Sequence, residues 1–410
     1  MSSIIKTNLL SHESCLTDSK STAEGKLNIT LASDVGNWKN AVNTLLVLEL
    51  AKDSRLKVSG FVPCHSEEQR NHASSLNIEL VDADQDLSGY PPTELLGHPP
   101  DHLKIDILLI HSYGPGLGRQ AQVIRKLKKC KWAQVVHTIS DELYKFLEDP
   151  QDCKDDHQLQ VTLCEKADII IAIGPKVAEA YRRYLRFENK FENVIELTPG
   201  VMEQFNGVRR VYDEADKFNV LVSGSSYYFK VKGCDIAAQA IKLLNTSSYQ
   251  LMVVLKSETD EADITQALLK EGIDSRQLTV RVCENHANWR QWLCQADLVI
   301  KPSRTEGFGM SGLLAISANV PVLVSSLSGL GIILKKLPTG RSHVVESDDP
   351  QVWADKIKEI RFKEPRSRHT QAEELRKEYT DHFSWKKQCD DLVDTFFEMA
   401  QQCRGKPYFS

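Results

Sequence analysis

The sequence predicts an α/β protein made of two doubly wound parallel-sheet halves facing one another across a cleft. Three observations predict it. Short apolar runs alternate with amphipathic segments along most of the 410 residues, the rhythm of parallel sheets covered by helices. Turn residues break the rhythm around Thr198-Pro199-Gly200 and Asn206-Gly207, after which it restarts. The length also exceeds what one ordinary core fills, so two domains are expected.

In the first half, strands are expected over 27–32, 56–62, 106–110, 133–137, 168–173 and 193–197. The 106–110 run is almost purely apolar, as in strands buried on both faces. Helices are expected over 37–52, 119–131, 159–166 and 176–185. The first carries its buried stripe on Val42, Leu45, Leu46 and Leu48 to Leu50, spaced at the helical period. In the second half, strands over 218–223, 251–255, 278–283, 297–301 and 320–325 alternate with helices over 234–244, 260–270, 289–296 and 310–318. Three helices follow, over 350–360, 367–382 and 385–402. The expected division is a polar tail 1–25, an N-terminal domain 26–205, a C-terminal domain 206–384, and a closing helix with its tail 385–410.

Composition narrows the function. The formal charge is −5, which gives no basic footprint for nucleic acid. No run of about 18 apolar residues is present, so no transmembrane helix is expected. The first 26 residues hold no signal-peptide core, and a cytosolic protein is the expectation. None of the ten cysteines has C-x-x-C spacing, so zinc and redox motifs are not signalled, and small buried hydrophobes are expected instead. The basic run Arg125 to Lys131 reads as a solvated helix face. The segment Gly114-Pro115-Gly116-Leu117-Gly118 lacks G-x-G-x-x-G spacing and reads as a turn before a helix.

The sharpest segment is Lys301-Pro302-Ser303-Arg304-Thr305-Glu306-Gly307-Phe308-Gly309-Met310-Ser311-Gly312. A buried strand ends, a glycine-rich loop follows, and a helix begins. Glycines let a backbone approach a ligand closely, and a helix start offers free N–H groups to a phosphate. A tight strand-to-helix turn with no ligand would look the same.

Residues 305–325, TEGFGMSGLLAISANVPVLVS, resemble the C-terminal signature of glycosyltransferase family 4, a group of retaining enzymes with the GT-B fold and an E-x7-E motif on this loop and helix. The resemblance runs over roughly 26–400 and is strongest from Phe218 onward. It implies two Rossmann-like domains facing a cleft, with the last helix crossing back onto the first domain. Glu306 matches the glutamate that contacts the transferred sugar. The second glutamate, which holds the ribose, falls at Leu314, a residue that accepts no hydrogen bond. Lys232-Gly233 matches the Lys-Gly pair that neutralises the donor diphosphate. Ser225 stands where an arginine is expected, and Lys230 is a further candidate cation. Gly307, Phe308, Gly309 and Met310 complete the donor loop. His137, at the end of the 133–137 strand, matches a histidine that points at the donor sugar, though a histidine there is also an ordinary structural residue. Gly36, in Ser33-Asp34-Val35-Gly36-Asn37, matches a loop over donor and acceptor. Pro199-Gly200-Val201 resembles the family's junction between domains.

The resemblance thus implies transfer of a sugar from a nucleotide-diphosphate sugar, with retention, to an acceptor the sequence does not name. Cationic side chains and the helix dipole would hold the diphosphate, so no metal or other cofactor is expected. The alternative is a catalytically silent module that binds a sugar nucleotide or a protein partner. Glu306, His137 and Lys232 favour the first; Ser225, Leu314 and Asn319, where the family usually has glycine, favour the second.

Overall fold

The computed structural model describes residues 25–33, 41–84, 91–111, 115–147, 151–208, 217–255, 261–283 and 286–404. Gly36 lies outside them. Two sheets organise the chain. The first holds β1 (Leu27–Ala32), β2 (Leu56–Val62), β3 (Ile78–Asp82), β4 (Ile107–His111), β5 (Lys131–Val136), β6 (Ile169–Ile173) and β7 (Val194–Leu197), in the order β3-β2-β1-β4-β5-β6-β7. The second holds β8 (Phe218–Ser223), β9 (Tyr249–Leu255), β10 (Leu278–Val282), β11 (Leu298–Lys301), β12 (Val322–Ser325) and β13 (Val344–Val345), in the order β10-β9-β8-β11-β12-β13. Neighbouring strands run parallel throughout, as in Leu31 against Leu109 and Val222 against Val253. The expected α/β fold of two doubly wound halves is the observed one.

The reason is visible in the central strands. β4 (ILLIH) and β6 (IIIAI) are buried along their whole length, so each needs helices on both faces, and parallel crossovers supply them. The strand order reverses between β1 and β4, and again between β8 and β11. Crevices at the carboxyl ends of strands open at such points.

Elements without a strong apolar period were not anticipated. The helix Glu67–Ser75 buries only Ala73 and is marked instead by its capping box, in which Ser66 and Gln69 bond each other's backbone N–H. β3 lies at the sheet edge with Glu79 exposed. The glycine segment expected as a turn enters a helix at Pro115, which runs to Lys128, because Lys131 is taken by β5 as the partner of Ile107. The basic run is only partly solvated. Arg125 and Lys131 pair with Asp168 at 3.0 and 3.5 Å, and Lys128 donates to the Pro100 carbonyl at 2.7 Å.

The last helix, Trp385–Arg404, crosses back onto the first half. Trp385 Nε1 donates to the Leu45 carbonyl (3.3 Å), Asp394 pairs with Arg55 (2.9 Å), and Gln388 clamps both the N–H and the C=O of Thr198. Phe396, Leu392 and Val393 join Leu46 and Leu50 in one buried cluster. The preceding helix Pro365–His382 also reaches the junction, where the Tyr379 hydroxyl donates to Pro199 C=O at 2.7 Å.

Among the described residues no helix is long and apolar enough to cross a membrane. Cys130, Cys164, Cys234, Cys283 and Cys389 are buried, as expected of small hydrophobes, and Cys64 is exposed. Burial pushes the Cys234 thiol up to about 11, so this residue, next to the Lys-Gly pair, is an inert thiol at neutral pH.

Candidate functional site

The carboxyl ends of β8 and β11 meet where the order of the second sheet reverses. β8 ends at Ser223 and β11 at Lys301, and Lys301 Nζ donates to Ser223 Oγ across 3.1 Å. A lysine ammonium has only donors, so Ser223 accepts from it, and Ser223 Oγ also shares a hydrogen bond with Ser311 Oγ, 3.2 Å away, in which either hydroxyl can donate. Beyond these ends, two loops press together. Lys232 lies in the turn after β8, and Gly233 follows it with φ +67. A β-carbon on Gly233 would sit 2.0 Å from the Pro302 carbonyl oxygen. Only glycine meets both demands, the left-handed backbone and the contact with a neighbouring main chain. Arg304 completes the seam by donating to Val231 C=O through its backbone (3.0 Å) and to Lys230 C=O through its guanidinium (2.8 Å).

This pressing together brings Lys232 to Glu306. The ammonium lies 2.9 and 3.1 Å from the two carboxylate oxygens. Lys301 approaches Oε2 at 2.9 Å, and Ser303 Oγ donates to it at 3.3 Å. Burial favours the neutral acid, but Lys232 and Lys301 outweigh it and hold the Glu306 carboxyl far below the usual carboxylate range. The cluster is two lysines and one carboxylate.

The first half closes over this loop. A β-carbon on Gly307 would lie 2.1 Å from the His137 carbonyl oxygen, so the loop after β11 and the end of β5 touch main chain to main chain. Phe308 is 3% exposed, and its ring lies against Gly174, where a β-carbon would be 2.5 Å from Cδ2. Lys176 bonds Glu142 (2.6 Å), Thr305 Oγ1 (3.0 Å) and the Leu327 carbonyl (2.7 Å), and Thr305 donates to Glu142 as well. The imidazole of His137 stacks on that of buried His111 at the end of β4, with His111 Nδ1 2.9 Å from His137 Nε2.

The structure therefore gathers Glu306, Lys232, Gly233, Gly307 and His137 around one region, with Gly309 (φ +109) and Met310 opening the helix Met310–Ser317 beside it. Two other candidates are turned elsewhere. Lys230 pairs with Asp235 (3.0 Å) and Glu271 (3.4 Å) rather than with Glu306. Ser225 Oγ accepts from the Tyr228 N–H at 3.3 Å. Leu314 is 4% exposed and packs in the core. Asn319 has φ +56 at the end of its helix. Asparagine tolerates that left-handed conformation, so it fills a glycine position at little conformational cost.

Lys301, Ser223, Ser311 and His111 were not anticipated from the sequence. Lys301 did leave a signal: a lone charge ending an otherwise apolar strand.

Burial, and then His137, hold the His111 imidazole well below its ordinary value, and burial also lowers His343. The folded state thus resists a proton that the unfolded chain accepts. Stability is whole above the ordinary value and falls as pH drops beneath it. His111→Gln is expected to make stability less sensitive to acidification below about pH 6.5, because the group that resists protonation is gone. Urea melts of both proteins above and below that pH check this; equal acid sensitivity would contradict it.

The family described as GT4-conflict, Family 4 Glycosyltransferase in conflict systems, matches residues 39–392. The D-inositol 3-phosphate glycosyltransferase of Corynebacterium urealyticum is 23% identical over 316 residues, 70% of each chain. Among solved structures, sucrose-phosphate synthase from Thermosynechococcus elongatus superposes with a TM-score of 0.71 at 18% identity, over 91% of this chain and 99% of that one. The Anabaena protein HepE in complex with UDP-glucose superposes with a TM-score of 0.66 at 14% identity, over 91% of this chain and all of that one (100%).

Proposed function

The chain belongs to the family 4 glycosyltransferases of conflict systems, and on that premise we propose that it transfers a sugar, with retention, from a nucleotide-diphosphate sugar to an acceptor. The observation that carries the reading is the contact of Lys232 with both oxygens of Glu306 at the carboxyl ends of β8 and β11. It sets a cation for the diphosphate beside an acceptor for the sugar hydroxyls. In the reaction, the bond from the anomeric carbon to the leaving phosphate breaks and the bond to the acceptor oxygen forms on the same face. The acceptor's proton passes to the leaving phosphate. The protein's share is electrostatic, and this reading assigns it to Lys232 and the helix start at Gly309 rather than to a resident metal.

UDP-glucose, held by HepE, is the first donor to test, beside GDP-, ADP- and dTDP-sugars. By calorimetry the wild type is expected to bind one of them saturably. Lys232→Ala should weaken that binding about 100-fold, the loss expected when a charge-assisted contact goes. Glu306→Gln should not weaken nucleotide binding and should lower transfer by about 100- to 1,000-fold, the scale of one preorganised polar contact. Absence of binding across the panel at millimolar ligand would overturn the donor reading.

One observation favours a second reading, a silent module that binds a sugar nucleotide or a protein partner. Leu314 is sealed in the core where the family resemblance places a ribose-binding glutamate. Donor binding without hydrolysis or transfer across an acceptor screen would select it.

A further inference from the structure

Two lysines share one carboxylate in the second half, and their burial differs. Lys301 is 3% exposed and ends the central strand β11. Its ammonium is enclosed by Glu306 Oε2 at 2.9 Å and Ser223 Oγ at 3.1 Å, so a ligand in the cleft does not reach it. The Lys232 side chain keeps 27% of its surface. If Lys232 were the only cation, Glu306 would cancel its charge and the pair would present nothing to a diphosphate. Burial pulls the Lys301 ammonium below the ordinary lysine value and Glu306 opposes it; with Lys301 protonated beneath, the three groups sum to +1, and Lys232 is the more exposed of the two cations.

We infer that Lys301 is the buried countercharge of Glu306, whose role is to leave the charge of Lys232 available to the diphosphate of the donor. The inference rests on the reading of the site as a nucleotide-sugar site. Lys301 is a positioning residue that touches no substrate. It acts through Glu306, and Ser223, itself hydrogen-bonded to Ser311, accepts from its ammonium and holds it in place. Burying a lone ammonium is costly, so a lysine ending an apolar strand needs both the carboxylate and the hydroxyl to remain there.

Charge arithmetic tests it. The probes are UDP, GDP and ADP, which lack the sugar, so the sugar contact of Glu306 does not enter. Lys301→Met brings the cluster to zero, and affinity for the bound nucleotide is expected to fall about tenfold, the scale of one charge removed close to a diphosphate. Glu306→Gln raises the sum to +2 and should tighten binding by about the same factor. The double variant Lys301→Met/Glu306→Gln returns it to +1 and should restore near-wild-type affinity. A role confined to folding would not be rescued by removing a second charge. Melting curves check each variant; if Lys301→Met alone does not fold, the double variant must bind about tenfold more weakly than Glu306→Gln. A wild type that binds none of the three nucleotides overturns the donor reading and this inference together. A wild type that binds, with Lys301→Met binding equally well or the double variant staying weak, overturns this inference alone.

Discussion

Gly307→Val is expected to prise the two halves apart at the donor loop and to cost more than about 3 kcal/mol of stability, the upper end of overpacking effects. The new β-carbon would lie 2.1 Å from the His137 carbonyl oxygen and 3.2 Å from Val177 Cγ2. The first of these is main chain at the end of a central strand and has no rotamer to retreat into. Either the loop lifts or β5 shifts. Lifting the loop takes Phe308 off Gly174 and separates Thr305 from Lys176 and Glu142. Guanidinium unfolding reads the stability, and small-angle scattering reads the separation as a larger radius of gyration. A variant that melts and scatters like the wild type would show that the contact between Gly307 and His137 does not hold the halves together.

Asp235→Ala is the second large effect, with an expected loss of about 3 kcal/mol. Asp235 is 3% exposed, and its carboxylate receives both terminal nitrogens of Arg304 at 2.8 Å and Lys230 at 3.0 Å. Lys230 is half-exposed and water replaces its partner cheaply. Arg304 is not: its side chain is 18% exposed, and without Asp235 a largely buried guanidinium keeps only the Lys230 carbonyl and the exposed Asp348 carboxylate 4.0 Å away. The loss reaches the site, because Arg304 ties the donor loop to the Lys232 turn. Nucleotide affinity should fall with stability, by about tenfold. Burial pushes the Asp235 carboxyl up, but Arg304 and Lys230 together hold it below its usual range. Its contribution is therefore present at neutral pH and is lost as the pH falls below the ordinary carboxylate value, so the gap between the wild type and the variant should narrow on strong acidification. A constant gap between them would refute the ion-pair account.

The sequence by itself determined which segments lie inside. The apolar runs that became β4, β6 and β8 state their burial in their own residues, and so do the break at Pro199-Gly200 and the glycines of the loop after β11. It also determined which residue types stand at the strand ends, including Lys232, Glu306 and His137. It was silent on elements held by caps rather than apolar faces, such as Glu67–Ser75. Only the tertiary structure decided the partners. Lys230 and Lys232 are two residues apart and look alike as candidates, yet one meets Asp235 and the other meets Glu306. Phe308 reads as a donor-loop residue and instead wedges against Gly174 in the other half. The physical reason is range. Periodicity is a local property that records which face of an element is buried. The contacts of Lys232 with Glu306, and of Lys301 with Ser223, join residues 74 and 78 positions apart. They exist because β8 and β11, not neighbours in the chain, lie side by side where the order of the sheet reverses.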